Sequence, residues 1–339
     1  MANPPQQKKV LVTGGAGFIG SNFIPYFLKK NQEYKVINLD KLTYAGHISN
    51  LKEIDETYRH KLIVGDICDR DLVARIFKEF AIDSVIHFAA ESHVDNSIKT
   101  PANFIKTNIE GTFTLLEAAK EHWGTENKNN RFHHISTDEV YGSLGDYGYF
   151  TEDSPYAPNS PYSASKASSD FLVRSYHHTY GLNVVTSNCS NNYGPKQHDE
   201  KLIPTVIRKA IQHEDIPIYG NGKNIRDWLY VLDHCQGIDQ IFHKGKSGET
   251  YLLGGGNEFT NLSIVKKICS LLDELMPKSS GSYSEQISFV KDRKGHDFRY
   301  AIDASKTKVK IGWEPSEDFS SGLIKTINWY INKYTSTLK

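Results

Sequence analysis

Eight residues constrain this chain more than any others. Thr13–Gly20 reads TGGAGFIG, directly after the β-branched run Lys9–Thr13 and directly before a helical period. Glycines in the pattern Gly15-x-Gly17-x-x-Gly20, with Gly14 beside them, allow a tight turn, close backbone approach to a pyrophosphate and close packing of helix on strand. The first turn of the helix, Phe18 and Ile19 included, offers N–H donors to phosphate. Asp40 ends the next apolar run, where a carboxylate can accept from ribose hydroxyls. An acid at that place predicts NAD rather than NADP, with Lys41 next to it as the counter-signal. Pro25 falls inside the expected helix and is predicted to kink or shorten it.

The same alternation continues. Short apolar runs at 35–40, 61–66, 84–90, 131–137 and 183–188 are separated by helical periods. Continuous rather than alternating apolar runs mean strands covered on both faces, hence a parallel sheet. The predicted fold class is α/β, a Rossmann-type doubly wound parallel sheet with a smaller C-terminal substrate-binding domain. The expected division gives 1–188 plus about 228–256 to the NAD-binding part, because the segments from Trp228 and Thr250 are expected to rejoin the first sheet. It gives 189–227 plus 257–339 to the second part. Two long helices stand out. One starts at Thr100-Pro101, read as N-cap and first helical residue, with Phe104, Ile105, Asn108, Ile109, Thr112, Phe113 and Leu116 on one stripe. The other runs from Tyr162 to Tyr180, with Ala167, Phe171, Leu172 and Tyr176 on one side. Both stripes read as core, and either could in part face a second subunit.

Composition excludes several classes. Lysine plus arginine equals aspartate plus glutamate at 40 each, which argues against nucleic-acid or membrane-surface binding. Cys68, Cys189, Cys235 and Cys269 have no CxxC spacing, so a reduced, cytoplasmic protein is expected. No HExxH occurs, and the pairs His133-His134 and His177-His178 lack partners at ligand spacing, so no metal is expected. The polar start MANPPQQKK has no leader-like apolar run, and no run is long enough to span a bilayer.

Two further constellations carry chemistry. Tyr162 and Lys166, in YSASK, stand four apart and share a helix face. A neighbouring ammonium and a positive nicotinamide favour the phenolate, which can then take the proton of an alcohol as its hydride leaves. Ser136-Thr137-Asp138-Glu139 follows a strand, at the edge where ligands bind in such sheets. Elimination of water needs a base for one proton and an acid for the leaving hydroxyl. Adjacent carboxylates supply both only if their surroundings push their pKa values apart. Neighbours in a regular strand face opposite ways, so the chain is predicted to turn over 137–139.

With these residues in hand, the chain resembles the dTDP-glucose 4,6-dehydratases, of the extended short-chain dehydrogenase/reductase type, over nearly its whole length. The resemblance rests on TGGAGFIGSN, LDKLTYAG, GDICD, FAAESHVD, STDEVYG, YSASKASSD, NCSNNYGP, EKLIP, RDWLYVLDH and GHDFRYAID. It implies dehydration of dTDP-glucose to the 4-keto-6-deoxy sugar, with transient oxidation at C4 by bound NAD. Tyr162 would deprotonate the C4 hydroxyl, supported by Lys166, with Thr137 on the C4 oxygen. Glu139 would take the C5 proton and Asp138 would protonate the departing C6 hydroxyl. NAD would be lined by the glycine turn, Asp40, Lys41, Asp66, Ile67, Ala89, Ala90, Thr107, Tyr162, Lys166 and Asn192. The nucleotide sugar would meet Ser92, Thr137, Asn191, Lys201, Leu202, Arg226, Asn257, Arg293 and His296. The same resemblance implies a homodimer through the two long helices. Asn96, the stretch 196–199 and Lys294 depart from the family pattern. The rival readings are a nucleotide-sugar 4-epimerase or decarboxylase on the same fold, which would not need the acid pair, and a non-catalytic dinucleotide-binding sensor.

Overall fold

The computed structural model describes residues 7–54, 58–124 and 129–336. The polar segment before Gln7, read above as no leader, lies outside them. The strands are β1 (Lys8–Thr13), β2 (Tyr34–Asp40), β3 (His60–Val64), β4 (Ser84–His87), β5 (Arg131–Thr137), β6 (Val184–Cys189), β7 (Asn191–Tyr193), β8 (Ile216–Tyr219), β9 (Ile225–Tyr230), β10 (Thr250–Leu253), β11 (Glu258–Thr260) and β12 (Ile287–Val290). Seven of them form the main sheet in the order β10-β6-β5-β4-β1-β2-β3, every neighbouring pair parallel. The chain winds outward in one direction from β1 and in the other from β4. The crevice beyond the carboxyl ends of these two strands is therefore the ligand-binding place.

Both faces of the sheet are covered, which explains the unbroken apolar runs. Along β1, Val10 and Val12 join a core with Phe23, Phe27 and Ile241, while Leu11 joins another with Ile37, Val73, Leu115 and Phe132. A third core, including Ile203, Ile207, Ile264, Leu272, Leu323 and Tyr330, fills the C-terminal lobe.

Several local expectations are corrected. The helix Phe18–Lys30 runs through Pro25 instead of stopping there. Proline removes the N–H that would reach the carbonyl of Ser21. That carbonyl accepts instead from Lys196 Nζ at 3.3 Å, and the same ammonium reaches the carbonyl of Asn50 at 3.0 Å. Thr100 does not cap the next helix with its side chain; its hydroxyl donates to the carbonyl of Asn96 at 3.0 Å, although Pro101 does sit at the first helical position. The helix then loosens into a π-helical stretch, Ile105–Gly111, before tightening again over Thr112–Trp123. The wider turn breaks the expected stripe: Phe104 and Leu116 are buried, whereas Ile105 points outward. In the helix Pro161–Tyr180, Ala167 and Tyr176 are buried but Phe171 is exposed. Of the segments expected to rejoin the main sheet, only β10 and the helix Val231–Lys244 do so. Trp228–Tyr230 belong to β9, which pairs with β7 and β11 in a separate sheet. Asn191–Tyr193, read as a turn, is the strand β7.

Candidate active site

A cleft of about 1580 Å³, counted with its open mouth, lies over the carboxyl ends of the main-sheet strands. Its floor is the turn after β1. Gly14 has φ +73°, and a Cβ there would stand 2.7 Å from the backbone nitrogen of Ala89. A Cβ on Gly20 would lie 2.4 Å from the carbonyl of Gly14. No side chain caps the helix that starts at Phe18, and Gly17, Phe18, Ile19 and Gly20 line the cleft. This leaves the first-turn N–H groups available to an anion. Asp40 sits where a ribose is expected, but its carboxylate is also structural. One oxygen accepts from Ala16 N–H and the other from Leu42 N–H, each at 2.8 Å. Lys41 is paired with Asp66 at 2.8 Å, so its charge is already matched. All the residues expected to line NAD, Asp66, Ile67, Ala89, Ala90, Thr107 and Asn192 among them, line this one cleft. The glycine cradle, the uncapped helix and the acid at the end of β2 fit a dinucleotide.

The chemical residues stand at the other end of the same cleft. β5 ends at Thr137, and the chain turns at once into a single 3₁₀ turn, Asp138–Tyr141. Thr137 Oγ1 accepts from Glu139 N–H at 3.3 Å, which holds that turn. Both acids line the cleft, in different surroundings. Asp138 is 1% exposed, and its Oδ2 has no hydrogen-bond partner. Burial, then the charges of Glu139 and Asp227, push its pKa well above the ordinary carboxylate value. Burial also raises Glu139, but Lys201 and Arg226 pull it back. Asp138 is thus the better proton holder and Glu139 the better base.

Ser160 caps the helix Pro161–Tyr180 through Ser163 N–H, and the helix carries Tyr162 and Lys166 into the cleft. Burial, then Glu139 and Cys189, push the Tyr162 phenol well up, with the Thr137 hydroxyl opposing. Lys166 Nζ donates to the carbonyl of Ile135 at 2.8 Å. Its own pKa is lowered by burial and supported by Asp170. Burial works against the phenolate, and the ammonium and a positive nicotinamide, the two charges named from the sequence, work for it.

Of the residues expected to meet the nucleotide sugar, Ser92, Thr137, Asn191 and Lys201 line the cleft; Leu202, Arg226, Asn257, Arg293 and His296 do not. Leu202, Arg226, Asn257 and His296 are engaged within the second lobe, while Arg293 reaches across to the first. Arg226 donates to the carbonyls of Ile225, Asp297 and Phe298 and lies 4.3 Å over the ring of Tyr300. Arg293 is ion-paired with Asp95 at 2.6 Å, and His296 Nδ1 is 2.7 Å from Asp292. Asn257 Nδ2 donates to the carbonyl of Gly255, and Leu202 opens the helix Leu202–Ile211. The sequence reading missed Cys189, Ser190, Glu91, Gln197 and Glu200, which also line the cleft. Cys189 and Ser190 sit within the NCSNNYGP segment, but nothing in their residue type marked them. Asn192 donates to Cys189 Sγ at 3.3 Å and faces His234 Nδ1 at 2.8 Å.

A family model described as GDP-mannose 4,6 dehydratase matches residues 11–326. The dTDP-glucose 4,6-dehydratase of Salmonella typhimurium is 54% identical over 336 residues, covering 95% of this chain and 92% of that protein. The chain belongs to the dTDP-glucose 4,6-dehydratase family. A solved dTDP-glucose 4,6-dehydratase of Streptomyces venezuelae, with NAD bound, superposes with a TM-score of 0.89 at 44% identity, covering 98% of this chain and all of that one. The fold extends beyond dehydratases: the UDP-glucose 4-epimerase of Thermotoga maritima matches with a TM-score of 0.84 at 29% identity, covering 98% of this chain and all of that one. The fold alone therefore does not choose the reaction, whereas the acid pair after Thr137 bears on it directly.

Proposed function

We propose that this chain is an NAD-dependent dTDP-glucose 4,6-dehydratase, and that Thr137, Asp138, Glu139, Tyr162 and Lys166 carry its chemistry. The observation that carries the reading is the acid pair itself, turned into the cleft beside Tyr162, with burial and like charge raising the pKa of Asp138 and Lys201 offsetting the rise at Glu139. The glycine turn, Asp40, Tyr162 and Lys166 would hold NAD, which would supply a positive charge beside Tyr162 and the hydride acceptor for C4 and donor for C6. Tyr162 takes the proton of the C4 hydroxyl while the Thr137 hydroxyl holds the C4 oxygen. The 4-ketone acidifies the C5 hydrogen, and Glu139 removes it. Asp138 gives its proton to the C6 hydroxyl, which leaves as water. Glu139 then returns a proton to C5.

The remaining assignments belong to the same proposal. Residues 1–188 with the segment returning through β10 hold NAD, and 189–227 with 257–339 hold the nucleotide. Arg226, Arg293, His296, Asn257 and Leu202 meet the nucleotide, and forked guanidinium donors suit a diphosphate. A homodimer through the two long helices is supported by apolar side chains left exposed on them, Ile105, Phe171 and Tyr180. Four free cysteines suit a reducing cytoplasm, and no helix among the described residues is long and apolar enough to cross a membrane.

The test is mass spectrometry of dTDP-glucose incubated with the protein in heavy water. Loss of water with one deuterium kept at C5 is expected. Glu139→Gln should lose about 10²–10⁴-fold in dehydration, the usual worth of a general base, while C4 oxidation persists. An unchanged sugar mass with NAD-loaded protein would refute the reading, as would dehydration undiminished in Glu139→Gln. A 4-epimerase would invert C4 and lose far less in that variant.

A further inference from the structure

Tyr162 and Lys166 stand four apart, and one more step of four along the helix Pro161–Tyr180 reaches Asp170 on the same face. Asp170 is 5% exposed, does not line the cleft and has no part in the chemistry assigned above. Its carboxylate is nonetheless where three other segments meet. Oδ2 accepts from the Ser136 hydroxyl at 2.8 Å, the Tyr156 hydroxyl at 2.9 Å and Asn188 Nδ2 at 3.4 Å. Oδ1 stands 3.0 Å from His134 Nε2, which also lies 3.3 Å from Ser169 Oγ.

These partners are not scattered. His134 and Ser136 are alternate residues of β5, so their side chains leave the same face of the strand. Both reach Asp170, and Lys166 takes the carbonyl of Ile135 between them. Asn188 of β6 is the register partner of Ser136 and also donates to the carbonyl of Thr137 at 3.0 Å. The helix is thus strapped to the last three residues of β5 before Thr137. One short side chain makes most of the strap, and it touches the amide that holds Thr137 itself.

The strap bears on the reaction because the two groups that meet the C4 oxygen come from different elements. Tyr162 rides on the helix and Thr137 ends β5, so their separation depends on how far the helix slides along the strand. Val173 and Tyr176 pack it on the sheet beside Phe132 and Val184. Such apolar contact is non-directional and fixes closeness better than sliding. Ser160 caps only the helix's own first turn, and Asn108 ties Ser165 to the neighbouring π-helical stretch, not to β5. Convergent donors need an acceptor-only group with several lone pairs, which a carboxylate is. We propose that Asp170 is a positioning residue of the C4 oxidation step, setting the Tyr162 phenol against the Thr137 hydroxyl. The inference rests on the dehydratase reading above.

The test isolates oxidation at C4. In Glu139→Gln protein, where elimination is blocked, NADH absorbance after rapid mixing with dTDP-glucose reports the hydride step alone. Adding Asp170→Ala frees the helix to slide, and a misplacement of about 1 Å costs about a hundredfold in rate. The rate of NADH appearance per NAD-loaded site is expected to fall by about that factor. Asp170→Asn keeps an acceptor oxygen for Ser136 and Tyr156 and should recover most of it. A role confined to stability would lower the fraction of protein loaded with NAD and leave the rate at loaded sites unchanged; that result overturns the proposal. So does an asparagine variant as slow as the alanine one, because charge and not placement would then be the cause. If Asp170→Ala does not fold, Ser136→Ala combined with Tyr156→Phe removes two donors and carries the same measurement, with a loss expected in the same step. No NADH from Glu139→Gln alone, in protein shown to carry NAD, would overturn the dehydratase reading and the inference with it.

Discussion

Replacing Asp40 by asparagine separates two duties that one carboxylate performs. Sequence position gives it the ribose of the cofactor. The structure adds Ala16 N–H and Leu42 N–H, bound at 2.8 Å to different oxygens of a side chain only 7% exposed. An asparagine keeps one acceptor and sets an NH₂ against the other amide. A lost bond to a charged group with its donor left buried costs about 1.5–3 kcal/mol. For a chain of this length, about 2 kcal/mol corresponds to a fall of roughly 3 °C in unfolding temperature. The assay is thermal unfolding of Asp40→Asn and wild type after NAD has been stripped, followed by calorimetric titration with NAD. The expected result is a lower unfolding temperature without cofactor and, separately, about tenfold or more weaker NAD binding. Stripped variant and wild type unfolding within the error of each other, with NAD binding still weakened, would refute the structural half of the reasoning.

Three other outcomes follow from the same geometry. Gly20→Ala puts a Cβ 2.4 Å from the carbonyl of Gly14 and 2.7 Å from Cα of Gly15, both backbone, so the helix must shift; calorimetry should show NAD affinity down by about tenfold or more, and unchanged affinity would contradict the packing described. Lys196→Met strips the donor from the carbonyls of Ser21 and Asn50 and should cost about 1.5–3 kcal/mol in denaturant unfolding. Pro25→Ala in that background restores an N–H to the Ser21 carbonyl and should recover part of the loss, so a double-mutant cycle with no coupling would count against the link. Asp138→Asn should abolish dehydration yet unfold at a higher temperature than wild type at pH 7. The folded protein holds this proton at a pKa well above 3.8 while the unfolded chain releases it, so wild-type stability falls as pH rises past about 4; the gap should close in acid, and a gap independent of pH would exclude the cause given.

Some of this was open to a reader of the residues alone. The strand–glycine–helix junction is a local matter: no other residue fits φ +73° at Gly14 without strain, and runs such as Val10–Val12 have no polar face to show to water. The shared face of Tyr162 and Lys166 follows from helical geometry, and the turn after Thr137 follows from the need to aim two neighbours one way. Helix stripes were less legible. The outward turn of Ile105 depends on a π-helical stretch that no periodicity announces, because it is stabilised from outside the helix: Asn108 bonds the backbone of Glu91 and the hydroxyl of Ser165.

The sequence by itself determined the strands of the main sheet, where the phosphate-binding turn lies and which side chains the proposed chemistry falls on, because each is set by residues within a few positions of one another. Only the tertiary structure decided what those groups are worth. Pro25 and Lys196 look like two unrelated anomalies until folding brings them together, one removing a donor and the other supplying it across 171 positions. Asp138 and Glu139 are chemically near-identical neighbours, and their proposed division into acid and base comes from burial together with Asp227 acting on the first and Lys201 on the second, both more than sixty residues away. Burial and long-range charge depend on what the whole chain packs around a group, and no window of sequence contains that.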